Sequence, residues 1–162
     1  MASTKAPAFV DRNGRPVAYD GAAIAWRPSI YVVAMREGAV LMERSPWTER
    51  LMLPGGEVAT DESLLAGAQR ECYEETGYAF RPDVADPVFV VEQFFAQDGY
   101  RHALTFVVAG EVAADPDPAW IPPADEISEV VWAPLKTLQP AAVHPISWAA
   151  LERAGLVKVE SL

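Results

Sequence analysis

Three carboxylates crowd into the stretch RECYEETGY: Glu71, Glu74 and Glu75, with Arg70 directly before them. In a helix, residues three and four apart are neighbours, and each like-charge pair there costs about 0.2–0.5 kcal/mol. Carboxylates grouped in this way suit a hard divalent cation, which takes oxygen ligands and usually keeps some of its waters. Upstream, Gly55 and Gly56 let the backbone turn sharply and approach a ligand closely, so the Gly55 carbonyl can join the carboxylates. Metal, phosphate and a positioned water are the parts of metal-assisted phosphoryl displacement. No Ser-His-Asp or paired-cysteine arrangement is present, and His102 and His144 lack partners at zinc spacing.

These acids need a helix to position them, and the spacing predicts one over Asp61–Thr76. Thr60 or Asp61 can cap its start, and Gly77 can take the left-handed position after its end. On a wheel of about 100° per residue, Leu64, Leu65, Ala68 and Cys72 form the core-facing stripe. Glu71 and Glu75 fall at its border, about 20° to either side of Leu64, whereas Glu74 lies further round beside Arg70. The alternative is a solvated acidic face. The position beside the core argues against it, because carboxylates next to apolar surface lose hydration and need compensating charge.

The remaining elements are mostly strands. Asn13-Gly14 marks a hairpin, SIYVVAM (Ser29–Met35) reads as a buried strand, and AVLMER (Ala39–Arg44) follows the turn at REG. RLMLPGG is a short strand that breaks at Pro54. Two strands flank the turn at DGY, EISEVVWAPL alternates as another, and PISWAALERAG is a short helix closed by Gly155. The sum is an α/β domain with a sheet covered by helices on two sides.

The chain has 162 residues, 51% apolar composition and a formal net charge of −10. That length suits a single domain over residues 1–162. The acidic balance and the lack of a basic run disfavour nucleic-acid duplexes and membrane surfaces as partners. An acidic chain can still handle phosphates through a bridging cation. One cysteine, Cys72, and no apolar run of about 18 residues point to a soluble cytoplasmic protein.

The residues from Gly56 to Tyr78 resemble the box of the Nudix hydrolase family, G-x5-E-x7-R-E-U-x-E-E-x-G-U, with U aliphatic. Gly56, Glu62, Arg70, Glu71, Glu74, Glu75 and Gly77 hold every fixed position. Cys72 and Tyr78 stand at aliphatic positions, and Asp61 stands where a glycine often precedes the first glutamate. The resemblance implies an α/β/α sandwich with a mixed sheet and a Mg²⁺-dependent (or Mn²⁺-dependent) cleavage of a pyrophosphate bond. The substrate would be a small nucleotide-type molecule, a nucleoside diphosphate linked to another moiety. It also implies roles. Gly55, Glu71, Glu74 and Glu75 would ligate the metal. Arg70 would position the box carboxylates, Glu62 would pair with Arg70 or reach the metal through water, and the general base is left open, Glu71 being the first candidate. A further acid would come from Asp125 or Glu126. Arg44, Arg50 and Arg101 are candidates for phosphate binding, and Phe94, Phe95, Tyr100 and Trp47 for stacking on a base. No marker of an ADP-sugar or dinucleoside-polyphosphate subgroup is present near Phe94 or Ala96. The chain would act as a monomer or homodimer. A binding module that senses nucleotides without hydrolysis is the other class. Such modules usually lose box acids, and this chain keeps them all.

Overall fold

The computed structural model describes residues 7–11, 14–83 and 87–158. In chain order the elements are β1 (Phe9–Val10), β2 (Pro16–Val17), β3 (Ile24–Arg36), β4 (Ala39–Arg44), β5 (Leu51–Met52) and β6 (Gly55–Glu57). Then come α1 (Leu64–Thr76), β7 (Phe80–Pro82), β8 (Val88–Ala96), β9 (Tyr100–Val112), β10 (Glu129–Pro134) and α2 (Pro145–Arg153). The strands form one mixed sheet in the order β10-β4-β3-β9-β8-β1-β2, with β5 beside β4, β6 beside β3 and β7 beside β9. β3 and β9 run parallel from Ile24↔Tyr100 to Ala34↔Gly110, and β4 lies antiparallel to both β3 and β10.

Alternation along β3 builds two cores. Ile30, Val32 and Ala34 face α1 with Leu41, Ala68, Cys72, Tyr78 and Val108. Tyr31 and Val33 face α2 with Val40, Met42, Leu53, Val107, Ala150 and Leu151. A two-residue side-chain period makes each strand serve both layers. The helix-covered sheet expected from the sequence is therefore present. Among the described residues no helix is long and apolar enough to cross a membrane.

The sheet is split between β3 and β4. β3 and β4 pair only beside their turn, at Met35↔Val40 and Arg36↔Ala39. Past that point β6 takes the edge of β3 and β5 takes the edge of β4. Residues 51–57 thus cross the gap, pinned by Val32 N–H on the Pro54 carbonyl at 2.8 Å and Leu53 N–H on Ser147 Oγ at 2.9 Å.

Four local readings change. α1 starts at Leu64, later than Asp61, and its cap is Ser63, whose Oγ accepts from Ala66 N–H at 3.2 Å; neither Thr60 nor Asp61 serves. The preceding turn is claimed by Glu62, which accepts from Ala59 N–H at 2.9 Å. β3 begins at Ile24, ahead of Ser29, because its parallel partner β9 extends alongside and Trp26 stacks on His102. β7 was not expected; it pairs antiparallel with the end of β9. Gly77 does close α1, with φ of 74°. Of the hairpin pair, Asn13 lies outside the described residues; Gly14 has φ of 78° and β1 pairs with β2 around it.

Candidate active site

α1 delivers its acids to the split. Arg70 ties them together through one guanidinium. Its Nε donates to Glu62 Oε2 at 3.1 Å, and Nη1 donates to Glu71 Oε1 at 2.9 Å and Glu74 Oε2 at 3.0 Å. Nη2 donates to Glu62 Oε1 and to the Glu57 carbonyl at 2.9 Å. A planar fork with five donors can hold three carboxylates at once. The Arg70 hydrogen bonds, with the Ala59 N–H, pull the Glu62 carboxyl down to about 2. Glu62 in turn holds Arg70 firmly protonated.

Glu75 lies on the other side of the helix border. Its Oε2 accepts from Gly55 N–H at 2.7 Å. Burial pushes its pKa well above the carboxylate range, Glu43 adds to the rise, and Glu71 and Glu126 add less; the Gly55 N–H opposes them. Glu71 is raised by burial and by Glu74 and Glu62, against Arg70. Glu43 is 4% exposed and pushed up to about 8 by burial and by Glu126. The Tyr31 hydroxyl is raised to about 12, chiefly by burial, with Glu75, Glu43 and Glu71 contributing against Arg27. Glu75 therefore meets repulsion from Glu43, Glu71 and Glu126, and Glu43 from Glu126, while Arg70 is shared among Glu62, Glu71 and Glu74.

This arrangement fits a divalent cation. Glu43 Oε2 is buried with no hydrogen-bond partner, a costly state for a carboxylate oxygen. The Glu71 carboxylate rests against bare backbone at Gly56, where an added Cβ would fall 2.8 Å from Glu71 Oε1. Gly55 has φ of 150°, and its Cβ would fall 2.2 Å from the Ile30 carbonyl, so only glycine lets β6 seat on β3. Among the described residues no three acidic, histidine or cysteine side chains already converge as a ligand set. Arg70 draws Glu71 and Glu74 aside, and the Gly55 N–H draws Glu75. Seating a cation means exchanging those hydrogen bonds for coordination.

Beside the glycines opens a cavity of about 780 Å³ on the α2 side of the sheet. Its floor comes from one face of three strands: Arg27, Ser29 and Tyr31 of β3, Ala103 and Thr105 of β9, and Gln93 and Phe95 of β8. Trp47 and Arg50 from the β4–β5 segment and His144 at the start of α2 complete the wall. Arg27 lies over the Phe95 ring, its carbon 5.4 Å from the centroid. Its Nε stands 3.1 Å from Glu57 Oε2 but without hydrogen-bond geometry. Burial and Arg50 together lower the pKa of His144.

Of the residues singled out for substrate, Arg50, Phe95 and Trp47 line this cavity; Arg44, Arg101, Phe94 and Tyr100 do not. Arg44 is spent on Glu129 and the Glu49 carbonyl. Arg101 holds the Asp98 carbonyl of its own turn. Phe94 stacks on His102, on the opposite face of β8 from Gln93 and Phe95. Tyr100 packs on Phe9 and Tyr19 and donates to the Ala18 carbonyl. Asp125 and Glu126 are both exposed; the charge of Glu126 acts on Glu43 and Glu75. Sequence reasoning missed Glu43, Arg27 and Gln93. A signal existed for Glu43, a lone acid continuing the apolar run Val40–Leu41–Met42.

A family model described as the NUDIX domain matches residues 25–154. No curated protein sequence matches the chain. Among solved structures, a NUDIX hydrolase from Nitrosomonas europaea aligns with a TM-score of 0.63 at 22% identity, over 80% of this chain and 89% of its own. A MutT NUDIX hydrolase from Burkholderia pseudomallei aligns with a TM-score of 0.60 at 22% identity, over 78% and 96%. A MutT protein from Methanosarcina mazei Go1 gives 0.57 at 24% identity, over 83% and 99%. At these identities the likeness carries the fold, and the family rests on the model spanning most of the chain. The chain belongs to the NUDIX hydrolase family.

Proposed function

We propose that this hydrolase is a Mg²⁺- or Mn²⁺-dependent pyrophosphohydrolase, that residues 1–162 form one such domain, and that its substrate is a nucleoside diphosphate joined to a second group. The observation that carries the reading is the set of repelling carboxylates, Glu43 Oε2 left without a partner among them, beside a cavity whose lining includes Arg27, Arg50, Trp47 and Phe95. An anionic substrate enters an acidic protein only if cations receive it. Arg27 and Arg50 do so on the cavity side, and a divalent cation would do so beside α1.

Glu71, Glu74, Glu75 and the Gly55 carbonyl would hold the cation, which supplies Lewis-acid polarisation of the pyrophosphate and acidification of water. Arg70 keeps Glu71 and Glu74 in register, so it positions without touching the reacting atoms. In the alternative assignment Glu71, half-buried with its pKa raised by burial, leaves the cation to the other ligands and takes the proton of the attacking water. The water oxygen bonds to phosphorus, the bridging P–O bond breaks, and the leaving phosphate carries away the electron pair. Phe95 and Trp47 offer faces to a base, and Gln93 offers an amide to its edge.

The test is product release from a mixed panel of nucleoside triphosphates, nucleotide sugars and dinucleotides, with millimolar Mg²⁺ or with EDTA. Mononucleotide release that needs the cation and disappears in Glu71→Gln supports the reading. Tight nucleotide binding without turnover of any panel member would replace it with the sensor reading.

A further inference from the structure

We propose that Glu43 is a ligand of the divalent cation, reaching it from the sheet through the split between β3 and β4. The inference rests on the metal-dependent reading above and adds to it a residue that lies outside the box.

Position comes first. Val40 and Met42 of β4 point into the α2-side core, and Leu41 points into the α1-side core. Side chains alternate along a strand, so Glu43 shares the face of Leu41 and looks toward α1. In register it stands opposite Met52 of β5 and Val130 of β10. Met52 is where the chain begins to cross the gap, and the crossing ends at Gly55, whose N–H holds Glu75. Glu126 is exposed in the segment before β10, and its charge acts on Glu43 and Glu75. The segment before β10 is tied to the end of β4 by Ser128, whose N–H and Oγ both donate to the Arg44 carbonyl at 3.0 Å. Helix and strand thus each present one acid at the split, Glu75 on the Gly55 N–H and Glu43 on the α1 face of β4.

Burial without a partner is the second observation. Glu43 is 4% exposed, and its Oε2 makes no hydrogen bond. A structural acid at such depth is expected to find a donor or a counter-charge. Among the described residues Glu43 has neither; the groups acting on it are its own burial and another carboxylate, Glu126. An aliphatic residue would continue the apolar run of β4 at no such cost. A cation in the split supplies what the protein leaves out, and the free oxygen is already unencumbered, unlike those of Glu71 and Glu74 on Arg70.

The experiment measures Mn²⁺ binding to the full chain by calorimetry and by Mn²⁺ spin resonance near neutral pH, without nucleotide, alongside thermal melts with and without Mg²⁺. Wild type, Glu43→Gln, Glu43→Asp and the surface variant Glu92→Gln are compared. Glu43→Gln is expected to weaken Mn²⁺ binding about tenfold or more and to shrink the Mg²⁺-induced rise in Tm, with Glu92→Gln unchanged. Glu43→Asp keeps the charge but shortens the reach, and is expected to lose several-fold; it carries the test if the glutamine variant does not fold. Wild-type affinity in whichever variant folds would overturn the role of Glu43 and leave the metal reading standing. A wild-type protein that binds no Mn²⁺ would remove both.

Discussion

Replacing Glu43 by glutamine in the metal-free protein should change how stability responds to pH, and the size of the change follows from burial. The fold raises the Glu43 carboxyl from 4.5 to about 8. The neutral form is therefore the one the fold favours. The stability tied to it is fully present below pH 4.5, declines as pH rises, and is gone above about 8. At about 1.4 kcal/mol per unit, the span sets a ceiling of about 5 kcal/mol for this one group. Neighbouring acids and entering water reduce that, so a loss on the order of 1–3 kcal/mol is the practical expectation. Glutamine keeps the shape and removes the titration. Urea unfolding in EDTA at pH 5, 7 and 9 would show wild type and Glu43→Gln nearly equal at pH 5, and the variant more stable by a margin that widens toward pH 9. The general charge repulsion of a chain at −10 acts on both proteins and drops out of the difference. Parallel curves, with a gap independent of pH, would refute the claim that Glu43 is an uncompensated buried acid.

Glu75→Gln should abolish most turnover yet leave the apo protein as stable as wild type or more so above pH 5. Its raised pKa gives the same sign as for Glu43, and a glutamine oxygen can still accept the Gly55 N–H; denaturant melts and steady-state rates read the two effects separately. Arg70→Lys should lower kcat by roughly tenfold or more with KM within a few-fold of wild type, since a point charge cannot hold three carboxylates in one plane. Gly56→Ala should fold, because its Cβ meets only the flexible end of Glu71, but lose activity as that carboxylate is displaced. Gly55→Ala should fail to fold, because its Cβ meets the Ile30 backbone; circular dichroism distinguishes them.

The helix and the placement of its acids were legible because they are local. A 3.6-residue period, a run of small and apolar residues, and Gly77 at the close suffice to place Glu71 and Glu75 at the border of the core and Glu74 outside it. The cap was misplaced because Thr60, Asp61 and Ser63 are all competent, and the choice depends on Glu62 being claimed by Arg70. The cavity wall was half legible. Arg50 and Phe95 line the cavity, but Phe94 is turned away by strand parity, which shows only once the register of β8 on β9 is known. Glu43 and Arg27 were missed for a related reason. Both sit on strands whose inward face is decided by long-range pairing, Glu43 by β10 and β5 and Arg27 by the parallel partner β9.

The central claim is that the carboxylates of α1, facing the split in the sheet, are a metal centre. The most direct measurement is a crystal of the protein soaked in Mn²⁺, with diffraction recorded at the manganese edge. The account predicts an anomalous peak bounded by Glu71, Glu75 and the Gly55 carbonyl, on the side of α1 that faces Glu43, with Arg70 retaining Glu62. Density for Mn²⁺ at some other place, or none at this one under millimolar Mn²⁺, would contradict it.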